Sequence, residues 1–325
     1  MARIVRIATT SLATLENFAP PYNLAHPDPS QTLARAVALI DAAGAQHADL
    51  VCLPETFVAS GLPAEKARAI VEPIDGPTFK ALAERARRHR INVVAGMHVL
   101  ENGFISNVAV LYDRDGELRG SYSKRHPTEG EIDSGITPGA PAKVFQTDIG
   151  RIGLAICFDL NWPDLWAEMK TQGAEIVCWI SAYEGGFPLQ AYAWLHGFTV
   201  VSSVQSYTAK IIDRSGRVLT STSRWGRLVS CDIDMDKRWF HTDGQAEKIV
   251  AAQTRYGERV RVETFGEEHM FSIETRDPTL NADEVVAALG LVGYDDYIAR
   301  CTNAQKAHRR YESTRSVPPV REAVK

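Results

Sequence analysis

Cysteine is scarce in this chain and shows no pairing pattern. The five cysteines (Cys52, Cys157, Cys178, Cys231 and Cys301) among 325 residues are an odd number at wide spacings, with no Cys-x-x-Cys pair. Neither a disulfide framework nor a zinc ligand set is indicated. Long apolar runs are also missing, since no stretch approaches the ~18 residues that a membrane helix needs. Basic runs are missing too: 36 Lys and Arg are interspersed with 40 Asp and Glu for a net charge of −4. Such a balance matches neither a nucleic-acid groove nor a membrane surface. His126, His196 and His241 stand apart from one another, which suits surface or packing roles better than metal ligation. There is no internal repeat and no low-complexity segment. What remains is a small-molecule partner, with no nucleic acid and no membrane. Met1 to Ile7 leads straight into a strand pattern, and a cytoplasmic location, where reduced thiols persist, is the expectation.

What is present is a hydrophobic fraction of 45%, ample for one large α/β core. Strand-like and helix-like runs alternate. Ser30 is placed to cap a helix with Leu33, Val37 and Ile40 on one face and Gly44 at its end. The apolar strand Asp49–Leu53 follows, then a helix opened by Pro77 with Phe79, Leu82 and Ala86 on one face. Ile91–Gly96 reads as a buried strand, and the runs 104–112 and 117–122 flank an Asp-Gly turn as a hairpin. Later come strands near 175–180, 199–204 and 227–233, a second turn at Asp213–Gly216, and a helix around Tyr192–His196. This mixture of βα units and hairpins fits a layered, sheet-centred α/β fold. Beyond about Lys237 the pattern turns more polar, with helical stretches at 281–289 and 295–306 and loose order expected from Glu312.

Three segments carry chemistry. The apolar run Gly153-Leu154-Ala155-Ile156 ends in Cys157, and Phe158-Asp159-Leu160-Asn161-Trp162-Pro163 turns the chain at once toward a helix. A thiol is thereby aimed into a cleft beside free backbone donors. Ala48-Asp49-Leu50-Val51-Cys52-Leu53-Pro54-Glu55 delivers a carboxylate to a strand end, where α/β sheets bind ligands. Gly120-Ser121-Tyr122-Ser123-Lys124 brings an ammonium to a comparable place. Taken singly, each reads as ordinary packing or a surface charge.

Together, Glu55, Lys124 and Cys157 resemble the Glu-Lys-Cys triad of the nitrilase, or carbon-nitrogen hydrolase, superfamily, in order and in local setting, from about Ile4 to about Asp234. The resemblance implies a four-layer α-β-β-α sandwich of two mixed sheets. It implies a nitrilase-like domain over residues 1–265, a C-terminal extension over 266–325, and a homodimer or larger homo-oligomer that the extension helps to form. The alternative for the tail is that it covers an edge of its own subunit. The implied catalysis needs no metal or cofactor: Cys157 is the nucleophile, Glu55 the shared acid and base, and Lys124 the oxyanion partner and the positive charge that favours the thiolate. The backbone N–H of Phe158 is a second oxyanion donor. A further glutamate that orients the lysine or the substrate is Glu129 or Glu131, with Glu131 preferred for its distance from the Pro138-Gly139 turn. Tyr183 and Glu184 are candidate substrate contacts.

The pair Phe158-Asp159 resembles the amidase and carbamoylase branches rather than the Cys-Trp-Glu of true nitrilases. The arginine that often follows in those branches is absent from Leu160-Asn161-Trp162, which weakens N-carbamoyl amino acid recognition. The expected activity is therefore hydrolysis of a small, non-peptide amide through a thioester. Nitrilase, N-carbamoyl hydrolase and acyl transferase chemistry are the alternatives. A non-catalytic member of the fold would not keep all three triad residues, and a papain-like protease would need a histidine base and a different local signature.

Overall fold

The computed structural model describes residues 3–12 and 28–309. Its helices are α1 (Pro29–Ala45), α2 (Ala64–Ala69), α3 (Pro77–His89), α4 (Glu129–Asp133), α5 (Pro163–Thr171), α6 (Phe187–His196), α7 (Ala246–Tyr256), α8 (Ala282–Leu289) and α9 (Tyr294–His308). The strands of the first half are β1 (Ile4–Thr10), β2 (Leu50–Cys52), β3 (Asn92–Glu101), β4 (Phe104–Tyr112), β5 (Leu118–Ser123), β6 (Val144–Thr147) and β7 (Gly150–Ile156). The second half adds β8 (Ile176–Ser181), β9 (Thr199–Val204), β10 (Lys210–Ile212), β11 (Val218–Ser221), β12 (Leu228–Asp234), β13 (Arg238–His241), β14 (Val260–Phe265) and β15 (Met270–Thr275).

Two six-stranded mixed sheets dominate, in the orders β12-β1-β2-β3-β4-β5 and β11-β10-β9-β8-β7-β6. In the first, β1, β2 and β3 are parallel and β3-β4-β5 form an antiparallel meander. In the second, β7, β8 and β9 are parallel, with β6 and β10 antiparallel on their flanks. Alternation along the parallel strands buries both faces. One face of the first sheet packs Val51, Val93, Ala95 and Val110 against Ala36 and Ile40 of α1 and Phe79, Leu82 and Ala86 of α3. The other face meets the second sheet along a polar seam: Ser203 Oγ donates to the carbonyls of Thr10 and Cys52, and Thr10 Oγ1 to that of Cys52 at 2.8 Å. This is the expected sandwich of two mixed sheets with helices outside. Among the described residues no helix is long and apolar enough to cross a membrane.

Several expectations shift in detail. The cap of α1 is Asp28, whose carboxylate accepts from Ser30 N, because Pro29 takes the first helical position and moves the cap ahead of Ser30. Gly44 does not end that helix. It lies inside it, where a Cβ would come within 2.3 Å of the His89 ring, so it serves the close approach of α1 to α3. Thr32, Ala36, Ile40 and Ala43 are its buried residues; of the expected face Ile40 is in the core, Leu33 packs against it partly buried, and Val37 is half-buried. The helix α6 begins at Phe187, with Pro188 in its first turn, ahead of the expected Tyr192.

The chain divides into two compact units, one over Val5–Ile233 and one from Asp234 onward that also takes in the first residues. The second contains the sheet β13-β15-β14, which the polar pattern after Lys237 concealed. The expected boundary at 265/266 falls between β14 and β15, which pair along their lengths from Val260↔Thr275 to Phe265↔Met270. The expected loose order from Glu312 lies outside the described residues.

One close approach fixes the site. Leu53 N donates to Val94 O at 2.8 Å and Gly96 N to Pro54 O at 3.2 Å, so pairing to β3 continues past the end of β2 up to Glu55. A Cβ on Gly96 would meet Glu55 Cα at 2.6 Å and Ile180 Cδ1 at 2.6 Å. Substituting Gly96→Ala is expected to destabilise the protein by about 1–3 kcal/mol through overpacking. A urea midpoint equal to that of the wild type would contradict this.

Candidate active site

Four strand ends converge here. Glu55 follows β2, Lys124 follows β5, Cys157 follows β7, and Ser181 and Ala182 lie at the end of β8. Cys157 opens a short 3-10 turn with φ of +48°, a left-handed conformation that a side-chain-bearing residue adopts only under constraint. The constraint is visible in its partners. Trp179 Nε1 donates to Cys157 O at 3.0 Å. Asp159, fully buried, takes Ile156 N at 3.0 Å, Tyr122 Oη at 2.9 Å and His126 N at 3.0 Å, and pairs with His126 Nδ1 at 2.9 Å. Burial nonetheless raises the Asp159 carboxyl, against the pull of those hydrogen bonds. His126, expected to stand alone, is thus part of the anchor, and its ring stacks on Trp162 at 4.1 Å. His196 stacks between Tyr192 and Phe198, and His241 against Tyr297, as packing residues do.

Lys124 is only 1% exposed and is held by two carboxylates. Its Nζ donates to Glu55 Oε1 at 3.0 Å and to Glu131 Oε1 and Oε2 at 2.9 and 2.7 Å. Burial opposes the ammonium, and the charges of Glu55, Cys157 and Glu131 overcome it, so its pKa stands above the ordinary lysine value. Glu131 rather than Glu129 reaches the lysine. A capping box sets it there: Thr128 caps α4, Glu131 N donates to Thr128 Oγ1 at 3.2 Å, and Thr128 N returns a bond to Glu131 Oε2 at 2.8 Å. Asn107 Nδ2 adds 3.0 Å to Oε1, so four hydrogen bonds end on this carboxylate. Burial acts against its charge, but Lys124 and the hydrogen bonds prevail and lower its pKa. Glu129 is exposed. Glu131 also lines a cavity of about 300 Å3 walled by Ala64, Ala67, Val71, Ile105 and Ile136, with Arg68 and His98 among its polar groups.

The Cys157 thiol is pushed up to about 12, first by burial and then by the Glu55 carboxylate, while Lys124 and hydrogen bonds from Ser181 and Ala182 pull it down. The expected effect of Lys124 is therefore present but outweighed by burial and the Glu55 charge. Tyr183 is also raised to about 12, by burial and then by the Cys157 charge, and its ring stands edge-on to Trp179 at 5.4 Å. Phe158 is half-buried and edge-on to Trp162. Glu184 is half-buried. Unforeseen contributors are Asn107 and Gln205, whose Nε2 donates to Glu55 O at 2.7 Å, while Ser181 and Ala182, in the segment expected to line the pocket, reach the cluster, with Ala182 N donating to Glu55 Oε2 at 3.0 Å. Asn107 left a signal, as a polar residue in the apolar run Val108-Ala109-Val110-Leu111 and its approach. Among the described residues no group of three or more His, Cys, Asp and Glu is disposed to hold a metal ion.

A thiol, an ammonium and a carboxylate at the strand ends of a two-sheet sandwich, with a second carboxylate on α4, match the class of enzymes built on this α-β-β-α fold. The profile of one family, "Carbon-nitrogen hydrolase", matches residues 17–238, more than half of the chain, and the chain belongs to that family. A deaminated glutathione amidase of Yersinia enterocolitica is 26% identical over 235 residues, spanning 66% of this chain and 74% of that protein. A nitrilase of Paraburkholderia phymatum is 32% identical over 164 residues, spanning 46% and 48%. Among solved structures, Saccharomyces cerevisiae Nit3, of branch 10 of the nitrilase superfamily, aligns with a TM-score of 0.62 at 21% identity over 71% of this chain and 90% of that one. An amidase from Nesterenkonia sp. gives 0.59 at 22% identity over 72% and 92%. At these identities the two structures bear on fold. The protein is a carbon–nitrogen hydrolase.

Replacing the turn's anchor tests how the thiol is held. Asp159→Ala leaves Ile156 N and Tyr122 Oη buried without an acceptor, each worth about 1–3 kcal/mol. A loss of at least ~2 kcal/mol in urea unfolding is expected, and a smaller change would mean that the turn holds itself.

Proposed function

We propose that this enzyme hydrolyses the amide bond of a small molecule through a thioester on Cys157, with Glu55 as the shared acid and base, Lys124 as the oxyanion partner, and Glu131 as the residue that holds Lys124. The observation that carries the reading is the shared ammonium: Nζ bonds both glutamates while its charge is felt by the Cys157 thiol. Burial and the Glu55 charge disfavour a standing thiolate, so Glu55 removes the proton as Sγ forms its bond to the carbonyl carbon. The oxyanion is met by Lys124, which its carboxylate partners keep charged, and by the Phe158 N–H. Glu55 returns its proton to the nitrogen, the C–N bond breaks, and the amine or ammonia leaves. It then takes a proton from water, which attacks the thioester; the C–S bond breaks, the acid departs, and Cys157 regains its proton. With four hydrogen bonds already on its oxygens, Glu131 has no role as a base.

Amide rather than nitrile chemistry is favoured by the Phe158-Asp159 pair and by relatives named for amidase activity, including a chloroplastic omega-amidase of Arabidopsis thaliana at 27% identity over 170 residues. The nitrilase relative keeps nitriles as the second reading. Tyr183, close enough to Cys157 to respond to its charge, is the better substrate contact of the two expected. We read the protein as a cytoplasmic homo-oligomer, on its five free cysteines and on Phe187 and Leu195 of α6, which are 74% and 68% exposed.

Cys157→Ala is expected to leave circular dichroism unchanged and to abolish turnover, with activity above ~1% of wild type refuting the nucleophile. Glu55→Gln and Lys124→Ala should each lower kcat by at least ~10²-fold. Rapid quench with a slow amide, followed by peptide mapping, should place the acyl group on Cys157. An adduct on Cys52, Cys178, Cys231 or Cys301 would sink the mechanism, and faster acylation by the matching nitrile would select the second reading.

A further inference from the structure

One buried polar side chain in the reacting cluster has no part in the steps above. Asn107 lies in β4, 1% exposed, opposite His98 of β3, and its carbonyl accepts from Lys124 N at 2.8 Å. Its Nδ2 donates to Glu55 Oε1 at 2.7 Å and to Glu131 Oε1 at 3.0 Å. Both amide hydrogens are thereby spent, one on each carboxylate. Chemistry fixes this orientation of the amide, since a carboxylate can only accept and the nitrogen must face it. The other end gains nothing: among the described residues Asn107 Oδ1 is buried without a hydrogen-bond partner. A side chain chosen for packing alone would not carry that orphaned oxygen.

The consequence falls on Glu55. Its Oε1 accepts from both Lys124 Nζ and Asn107 Nδ2, which occupies both lone pairs. Among the described residues its Oε2 accepts one bond, from Ala182 N at 3.0 Å, which leaves it a lone pair. Ala182 N and Ser181 also face the Cys157 thiol. We infer that Asn107 is a positioning residue that, with Lys124, saturates Oε1 of Glu55 and so assigns every proton transfer of the reaction to Oε2, while its second N–H keeps Glu131 in register on the lysine. Asparagine suits the task because it offers two N–H groups on one neutral atom. Aspartate would add a third carboxylate, serine has a single hydrogen, and lysine or arginine would add a second cation that weakens Glu55 as a base. The inference rests on the reading of Glu55 as the shared acid and base.

The test is Asn107→Leu, which removes both N–H groups and the orphaned oxygen at similar volume. Folding is expected to persist, with Tm near that of the wild type. Freed to rotate, Glu55 presents its base in the wrong place, and kcat should fall by about 10²-fold, the usual effect of an ångström-scale misplacement. KM should stay within about threefold, since no contact to substrate is removed. Acylation and thioester hydrolysis, followed separately in single turnover, should slow by similar factors because both use Oε2. Should Asn107→Leu not fold, Asn107→Ser, which keeps one donor, is expected to give an intermediate loss of kcat. Turnover within about threefold of wild type, or a raised KM with kcat unchanged, would overturn the role of Asn107. If Cys157→Ala is inactive in the same assay, the catalytic reading survives that failure. If Cys157→Ala is active, both fall together.

Discussion

A buried ammonium between two carboxylates is the constraint on which the site depends. Removing Lys124 from water is unfavourable by several kcal/mol, and only close, fully hydrogen-bonded counter-charges offset it. Glu55 and Glu131 supply them, and each needs its own scaffold. Glu55 is held because β2 stays paired to β3 beyond its last residue, with Gly96 lacking a side chain where the two backbones meet. Glu131 is held because Thr128 starts a helix whose capping box turns that carboxylate back toward the lysine. The polar cluster thus imposes conditions on strand length, on one glycine and on one helix start. None of these would be required by the hydrophobic core alone.

The thiol is governed by the opposite balance. Burial and the Glu55 charge keep Cys157 protonated although a cation stands nearby. A carboxylate beside a thiol whose proton burial retains forms a poised pair, since bond formation and proton transfer can proceed together. Holding Cys157 with φ of +48° uses structure from several elements: the Asp159 anchor, the Trp179 indole of β8 and the stacked pair His126 and Trp162. The strain of one residue is distributed over groups whose side chains have no chemical step to perform.

Much of this was legible in the residues. The apolar runs ending at Cys52 and Ile156, the Asp-Gly hairpin and the Pro163 helix start all appear within a residue or two of where periodicity placed them. Helix α1 was read less well, because its packing against α3 is close enough to prefer alanines and a glycine over the larger side chains that a periodic pattern favours. The sheet β13-β15-β14 was hidden by charged residues on its exposed positions, though Val260-Arg261-Val262-Glu263 alternates as a half-buried strand should.

The sequence by itself determined the main strands of the two large sheets, their order along the chain, and the residue types at their ends, because hydrophobic period and turn chemistry are local properties. Only the tertiary structure decided that Glu131 and not Glu129 meets Lys124, that Asp159 and His126 anchor the Cys157 turn, that Asn107 spans both glutamates, and that burial and the Glu55 charge raise the thiol. Each of these is a hydrogen bond or a charge interaction between residues that the fold alone brings within a few ångströms, and its sign depends on burial that no stretch of sequence contains.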